Sequence, residues 1–170
     1  MRPRSVEDDG VSERPPNTSI VAVRTPEQFA AFHEIQVEYE ATLPPDLQHD
    51  LAAPSALPAV YAGANAAYLG LVGEVPGATI AVVGLDAKTD VLQRLYVRPS
   101  FRNAGLARAL VDAVIAHARE RGCSRVVLDT DRDRMDVAYR LYRSFGFTES
   151  APYGVARPGC ATYMELELEP

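Results

Sequence analysis

The chain has 170 residues, of which 47% are hydrophobic and 24% charged, the balance of a soluble globular domain with room for a core. Its net charge of −6 argues against a nucleic-acid-binding protein, because such proteins carry a basic bias. Two cysteines are too few for a disulfide framework or a zinc cluster. No apolar run approaches the roughly 20 residues that cross a bilayer. We therefore expect a cytoplasmic protein that binds no metal, membrane or nucleic acid.

The first elements follow a polar N-terminus. Residues 1–19 contain no apolar core for a signal peptide, and we expect a disordered tail followed by one domain over residues 20–170. "IVAVR" (20–24) predicts a strand. Thr25 as N-cap and Pro26 at the first helical position predict a helix after it. Residues 44–65 are rich in proline and alanine, which favours a loop with a short helix near a binding site.

The rest of the chain alternates between strand and helix patterns. Three β-like runs separated by hairpin-length breaks predict an antiparallel meander. Beyond them, a long helix is predicted to end at Gly122, and a strand, a second helix and two more strands follow. The runs are 66–74, 77–86 and 90–99, and the later elements are 104–122, 124–130, 134–145, 146–150 and 160–168. The order β-α-loop-βββ-α-β-α-ββ predicts an α/β domain with a mixed sheet, in which the long helix connects a parallel strand pair.

The segment before the long helix, "RPSFRNAG" (98–105), has two arginines and no acid. Most helices place an acidic or capping residue there, because the free amides and the dipole favour negative charge. A phosphate can fill that role, and Gly105 permits close approach. A Walker loop is excluded, since no Lys-Ser/Thr pair follows, and a dinucleotide fingerprint belongs in the first βα turn. A helix start with solvated arginines remains the alternative.

Three longer segments resemble one family. Residues 92–130, "LQRLYVRPSFRNAGLARALVDAVIAHARERGCSRVVLDT", resemble the cofactor-binding core of the GNAT acetyltransferase superfamily, and 134–147, "RMDVAYRLYRSFGF", resemble its next helix. "APYGVARPGCATYMELEL" (151–168) is similar to the C-terminal strands of small bacterial members. The resemblance implies a mixed, mostly antiparallel sheet of six to seven strands with a splayed central parallel pair. It also implies acetyl-CoA-dependent transfer of an acetyl group to a primary amine, by direct attack in a ternary complex.

The resemblance also assigns the cofactor contacts. The pantetheine arm would lie along the strand at Leu95, Tyr96 and Val97, whose other role is ordinary core packing. The pyrophosphate would bind the backbone amides of the superfamily's glycine-rich signature, with added charge from Arg108. The matching residues are Arg102, Asn103, Ala104, Gly105, Leu106 and Ala107. Ala107 replaces the commoner final glycine with another small residue.

Catalytic residues are assigned in the same way. Tyr142 stands where many members keep a tyrosine that protonates the departing thiolate, although it also lies on an apolar helix face that predicts a packed core aromatic. Met135 replaces an asparagine that contacts the cofactor in relatives. Val91 stands where many members carry a glutamate base. Glu38 and Asp129 are therefore the candidates for the base, with Glu40, Asp46 and His49 or a water chain as further options.

The acceptor is expected opposite the cofactor, beside Tyr39, Tyr153 and Arg157. Acids and aromatic side chains there suit a cationic amine, whereas Arg157 suits an acceptor that also carries a carboxylate. A protein amine is a second acceptor class. A non-catalytic acyl-CoA sensor or interaction module is the alternative function, and a purely structural domain the third. The C-terminal "TYMELELE" could form a homodimer edge or guard against one.

Overall fold

The computed structural model describes residues 17–154 and 162–170. Seven strands form one sheet in the order β1-β2-β3-β4-β5-β7-β6. Neighbours are antiparallel except β4 and β5, which are parallel. The strands are β1 (Thr18–Ala22), β2 (Ala66–Val72), β3 (Val75–Gly84), β4 (Thr89–Val97), β5 (Arg125–Thr130), β6 (Thr148–Ser150) and β7 (Thr162–Glu167). The predicted mixed, mostly antiparallel α/β sheet is confirmed.

Four α-helices accompany the sheet in the predicted order: α1 (Pro26–Thr42), α2 (Leu57–Val60), α3 (Leu106–Glu120) and α4 (Asp136–Ser144). Helix α1 begins with a reciprocal capping box in which Thr25 and Gln28 each bind the other's backbone amide, so the predicted N-cap is confirmed. Strand β1 begins at Thr18, before the predicted boundary, because Thr18 pairs with Val72 at the end of β2. Over the ranges described, no helix is both long and apolar enough to cross a membrane.

The sheet carries apolar side chains on both faces, because successive residues of a strand point to opposite sides. In β3, Ala78, Ile80 and Val82 pack with the apolar stripe of α3. Ala81, between them, packs with Phe29 and Phe32 of α1 in a second cluster. The two clusters fix α3 and α1 on opposite faces of the sheet.

Strands β4 and β5 pair over a short stretch and then separate. Thr89, Asp90 and Val91 face Arg125, Val126 and Val127 in register. Strand β4 continues to Val97 and β5 to Thr130 without further pairing between them. The predicted splayed parallel pair is confirmed, and one backbone edge of β4 faces open space beyond Val91.

A β-bulge in β4 coincides with this separation. Arg94 and Leu95 together lie opposite the single residue Ile80 of β3. Arg94 has φ 59°, a left-handed conformation that costs a non-glycine residue on the order of 1–3 kcal/mol. The Thr79 hydroxyl donates to the Arg94 carbonyl oxygen at 3.1 Å, and Gln36 Nε2 also donates to it at 3.3 Å. These hydrogen bonds hold the bulge in place.

A clasp of charged side chains joins the segment after α1 to the segment after β5. The Arg134 guanidinium binds both carboxylate oxygens of Asp46 at 3.1–3.2 Å. Its Nε also donates to Asp131 at 2.6 Å. Because Asp46 lies in a 3-10 turn over Pro45–Leu47, the clasp ties the loop after α1 to the open end of β5.

The bulge predicts a cost for removing the Thr79 hydroxyl. Thr79 is fully buried. Thr79→Val keeps the side-chain volume, but it leaves the Arg94 carbonyl with one donor fewer and removes the hydroxyl that accepts from Gln36 Nε2 at 2.6 Å. We expect the free energy of unfolding to fall by about 1–2 kcal/mol, measured by urea denaturation. Thr148→Val, at an exposed position of β6, is the control. Equal unfolding midpoints for Thr79→Val and wild type would show that the hydroxyl is not needed to hold the bulge.

The clasp predicts a pH-dependent contribution to stability. The Arg134 guanidinium lowers the pKa of Asp46 below the ordinary 3.8, and the Arg134 amide and guanidinium lower that of Asp131. A lowered pKa stabilises the fold above about pH 4, and the contribution disappears as the pH falls through the folded-state pKa. We expect Arg134→Gln to lower Tm by about a degree or two at pH 7, and the difference from wild type to shrink below pH 4. Exposed Arg119→Gln is the control; a difference independent of pH would contradict the ionic origin.

Candidate active site

The separation of β4 from β5 opens a cleft with a cavity volume of about 100 Å³. Its walls come from α1 and the loop after it, from β4 just beyond its last pairing with β5, and from the end of β5. The lining residues are Tyr39, Glu40, Leu43, Leu47, His49, Leu92, Gln93, Arg94, Asp129, Thr130, Asp131 and Met135. The cleft therefore starts where the parallel pairing stops, on the side of the sheet where α1 packs.

A buried polar network forms one wall of this cleft. Arg94 Nη1 donates to Glu40 Oε1 at 3.2 Å and to Gln36 Oε1 at 3.3 Å. Glu40 Oε2 accepts the backbone amide of His49 at 2.7 Å. Glu40 is 9% exposed and Gln36 1%, so Glu40, one of the further options for the base, is a buried carboxylate paired with Arg94. Arg94 and Gln36 were not predicted as site residues, although a lone arginine inside the apolar strand "LQRLYV" was an available signal.

Asp129 lies at the open end of β5. Its Oδ1 accepts a hydrogen bond from the Tyr153 hydroxyl, and the Tyr153 ring packs edge-on against Tyr163 with centroids 5.6 Å apart. No lysine, arginine or histidine among the described residues forms an ion pair with Asp129. Next to it, Thr130 is 4% exposed, and its hydroxyl has no hydrogen-bond partner in the part of the chain that is described. The cleft thus contains a carboxylate without a cation beside an unused hydroxyl.

Tyr142 is buried on α4. It is 6% exposed, and the centroid of its ring lies 5.8 Å from that of Phe147. Tyr142 is therefore packed in the core, as its helix face predicted. Burial raises the pKa of Tyr142, with further increments from Tyr39 and the Asp129 carboxylate. The phenol therefore keeps its proton at physiological pH. No hydrogen bond joins its hydroxyl to another described residue, which leaves that hydroxyl available to a ligand.

The start of α3 has no side-chain cap and no acid in its first turn. Asn103 and Gly105 take left-handed conformations, with φ 63° and 74°. No described residue accepts a hydrogen bond from the amides of residues 103–108; the first helical bond runs from the Ala109 amide to the Gly105 carbonyl at 3.1 Å. This is the arrangement of an anion site, in which free amides and the dipole meet negative charge.

The basic residues near this loop separate into two groups. Arg102 is exposed and stays at the loop, where its Nε donates to the Val97 carbonyl at 3.3 Å. Arg108 instead stacks on Phe145 at 4.5 Å and donates to Ser144 at 2.7 Å, so it is engaged by α4. Arg98 turns to α1, where it binds Glu38 and Glu34. Of the two arginines in "RPSFRNAG", Arg102 alone remains near the bare amides.

The other residues predicted for the site lie in different parts of the structure, and only some of them are near the opening between β4 and β5. Leu95, Tyr96 and Val97 lie on β4 beyond its pairing with β5, and Tyr96 packs against Tyr39 at 5.2 Å. Glu38 pairs with Arg98 at 2.7 Å and does not line the cleft. Val91 is 5% exposed in the core. Arg157 lies outside the described residues. Among the residues that are described, no group of three or more His, Cys, Asp or Glu side chains is placed to hold a metal ion.

Curated relatives match about half of the chain. An uncharacterized N-acetyltransferase of Schizosaccharomyces pombe is 42% identical over 77 residues, which are 45% of this chain and 47% of that protein. Human N-acetyltransferase 8 is 37% identical over 82 residues, 48% of this chain and 34% of that protein. The chain thus spans about half or less of the length of these relatives.

Solved structures and a family model cover more of the chain. An acetyltransferase of Streptococcus agalactiae superposes with a TM-score of 0.72 at 20% identity, over 90% of this chain and 99% of that one. The yncA protein of Salmonella typhimurium, solved with acetyl-CoA, gives 0.75 at 20% identity, over 90% and 95%. At such identities they establish the fold. The model of the acetyltransferase (GNAT) family matches residues 13–147, and this chain belongs to that family.

Proposed function

We propose that the chain transfers an acetyl group from acetyl-CoA to a primary amine, that of a small molecule, by direct attack in a ternary complex. The observation that supports this most is the opening of β4 away from β5. The bare amides of α3 lie at the end of the loop that follows β4, and an acid-lined cleft begins at the opening. An acyl donor and an amine can therefore meet at the middle of the sheet from its two faces.

In this proposal the donor binds in two parts. The pyrophosphate accepts hydrogen bonds from the amides of residues 103–108, and Arg102 adds a charge-assisted contact. The pantetheine arm lies along the free edge of β4 at Leu95, Tyr96 and Val97, where its amides can pair as an added strand would. The yncA protein of Salmonella typhimurium, which shares the fold, was solved with acetyl-CoA, and that likeness supports the assignment.

The amine would enter through the cleft and attack the thioester carbonyl as the neutral base. The new C–N bond forms as the C–S bond breaks. Asp129, the cleft carboxylate without a cation, accepts the amine proton directly or through water. Tyr142 donates to the departing sulfur, for which its phenol must stay protonated. The raised pKa of Tyr142 keeps it protonated.

A non-catalytic acyl-CoA sensor is the second candidate. It is favoured by Val91, which is buried and supplies no carboxylate at the position assigned to the family's glutamate. Release of free thiol from acetyl-CoA in the presence of an amine panel separates the two functions. Acetyl-CoA binding without amine-dependent thiol release would support the sensor.

The phosphate loop gives the first prediction. Gly105→Glu adds an anion and a side chain at φ 74°, and we expect acetyl-CoA affinity, measured by calorimetry, to fall by 100-fold or more, on the order of 3 kcal/mol. Gly122→Glu is the matched control. It adds the same charge at φ 73° with no atom within 4 Å of the new Cβ, but at the opposite end of the same helix.

The control variant should bind as wild type does. Equal losses in Gly105→Glu and Gly122→Glu would mean that backbone strain, rather than the anion site, causes the effect. No binding of acetyl-CoA by folded wild-type protein would overturn both the enzyme and the sensor.

Tyr142 gives the second prediction. Tyr142→Phe removes a hydroxyl that has no partner among the described residues, so we expect the same unfolding midpoint and acetyl-CoA affinity as wild type. We expect kcat for amine-dependent thiol release to fall by about 10²- to 10⁴-fold. An unchanged kcat would assign Tyr142 to packing alone.

A further inference from the structure

We infer that the acceptor is a primary amine that carries no carboxylate, the decarboxylated counterpart of an amino acid rather than the amino acid itself. This inference rests on the proposed function and names its substrate class. It is derived from the balance of charge in the cleft, from the Thr130 hydroxyl and from the Tyr39 ring.

The charges that line the cleft do not cancel. Glu40 is matched by Arg94 at 3.2 Å, and Asp131 is matched by Arg134 at 2.6 Å. Asp129 is left without a cation within the described ranges, and its one hydrogen-bond donor there is the neutral Tyr153 hydroxyl. The cleft therefore holds one unmatched negative charge, and an ammonium group supplies the missing positive charge.

A carboxylate on the acceptor would meet no unpaired arginine or lysine among the described residues of the lining. Two basic side chains among the described residues line the cleft: Arg94, whose Nη1 is bound to Glu40 and Gln36, and His49, whose Nδ1 lies 3.8 Å from Glu40 Oε1. A second anion would add to the repulsion from Asp129 in a site partly screened from water, where charges interact more strongly than in solution. The charges of the described lining residues therefore favour an ammonium group over a carboxylate.

Thr130 is an independent sign that the cleft accepts a polar ligand there. Thr130 is 4% exposed, and its hydroxyl has no hydrogen-bond partner in the described part of the chain. It lines the cleft, as Asp129 does. A buried hydroxyl without a partner costs free energy unless something binds it. Because Thr130 directly follows Asp129 in β5, the two side chains point to opposite faces of the sheet, so the Thr130 hydroxyl would bind a polar group of the ligands other than the ammonium group that faces Asp129.

The described lining of the cleft contains one aromatic side chain. Tyr39 lines the cleft, and the Tyr96 ring fixes it at a centroid distance of 5.2 Å. A phenol ring face attracts a cation and packs against an alkyl or aryl chain. An amine with an apolar or cationic remainder therefore fits against this ring.

The test uses amine pairs that differ only in the carboxylate: cadaverine and lysine, tyramine and tyrosine, and agmatine and arginine. Initial rates of thiol release from acetyl-CoA give kcat/KM for each. The affinity of each amine is measured separately by calorimetry, with and without saturating coenzyme A. We expect the decarboxylated member of each reactive pair to be preferred at least tenfold, the factor that corresponds to about 1.4 kcal/mol.

Asp129→Asn shows whether that preference comes from the unmatched carboxylate. We expect the variant to lose most of the preference within each pair, whatever its effect on the absolute rate, because the ratio of affinities does not depend on turnover. Asp112→Asn, an exposed acid on α3, is the matched control and should keep the wild-type ratio.

Equal or higher affinity for the amino acids would overturn the inference, and Arg157→Ala would then show whether Arg157 supplies the missing cation. A preference that survives in Asp129→Asn would overturn the assignment to that residue. Absence of acetyl-CoA binding, or of thiol release with every amine, would overturn the proposed function instead, and the affinities measured without coenzyme A would still decide the inference.

Discussion

The site depends on one local irregularity, the bulge at Arg94 in β4. An extra residue in a strand bends it and increases its twist, and here the bulge accompanies the loss of pairing between β4 and β5. Gln36 from α1 and Thr79 from β3 both donate to the carbonyl oxygen of the strained residue. A helix on one face and a neighbouring strand therefore hold β4 in the shape that opens the cleft, and the same bulge points Arg94 toward Glu40.

Electrostatics divides the two approaches to that opening. The start of α3 offers free amides, the positive end of a helix dipole and Arg102, all of which favour an anion. The cleft on the α1 side offers Asp129 and paired acids, which favour a cation. In the proposed function an anionic donor and a cationic acceptor therefore use different entrances, whereas the net charge of −6 by itself would repel the donor and attract the acceptor.

Sequence patterns predicted the fold well because the relevant interactions are local or periodic. The capping pair Thr25 and Gln28, the apolar stripe of α3 and the turn residue Gly122 each belong to a short window of the sequence, and the helices follow from them. The phosphate loop was also visible, because it is one continuous segment. Its arginines were harder to assign: Arg98 and Arg108 are drawn to α1 and α4, whose positions depend on tertiary packing.

The chain by itself determined the order of elements, the bare helix start at residues 103–108 and the family, since each rests on contiguous residues. Only the tertiary structure decided which acids are neutralised. Glu40 meets Arg94 across 54 positions, and Asp46 meets Arg134 across 88. Asp129 remains unmatched among the described residues. Ion pairing depends on distances of a few ångströms between side chains on separate elements, and no local pattern encodes those distances.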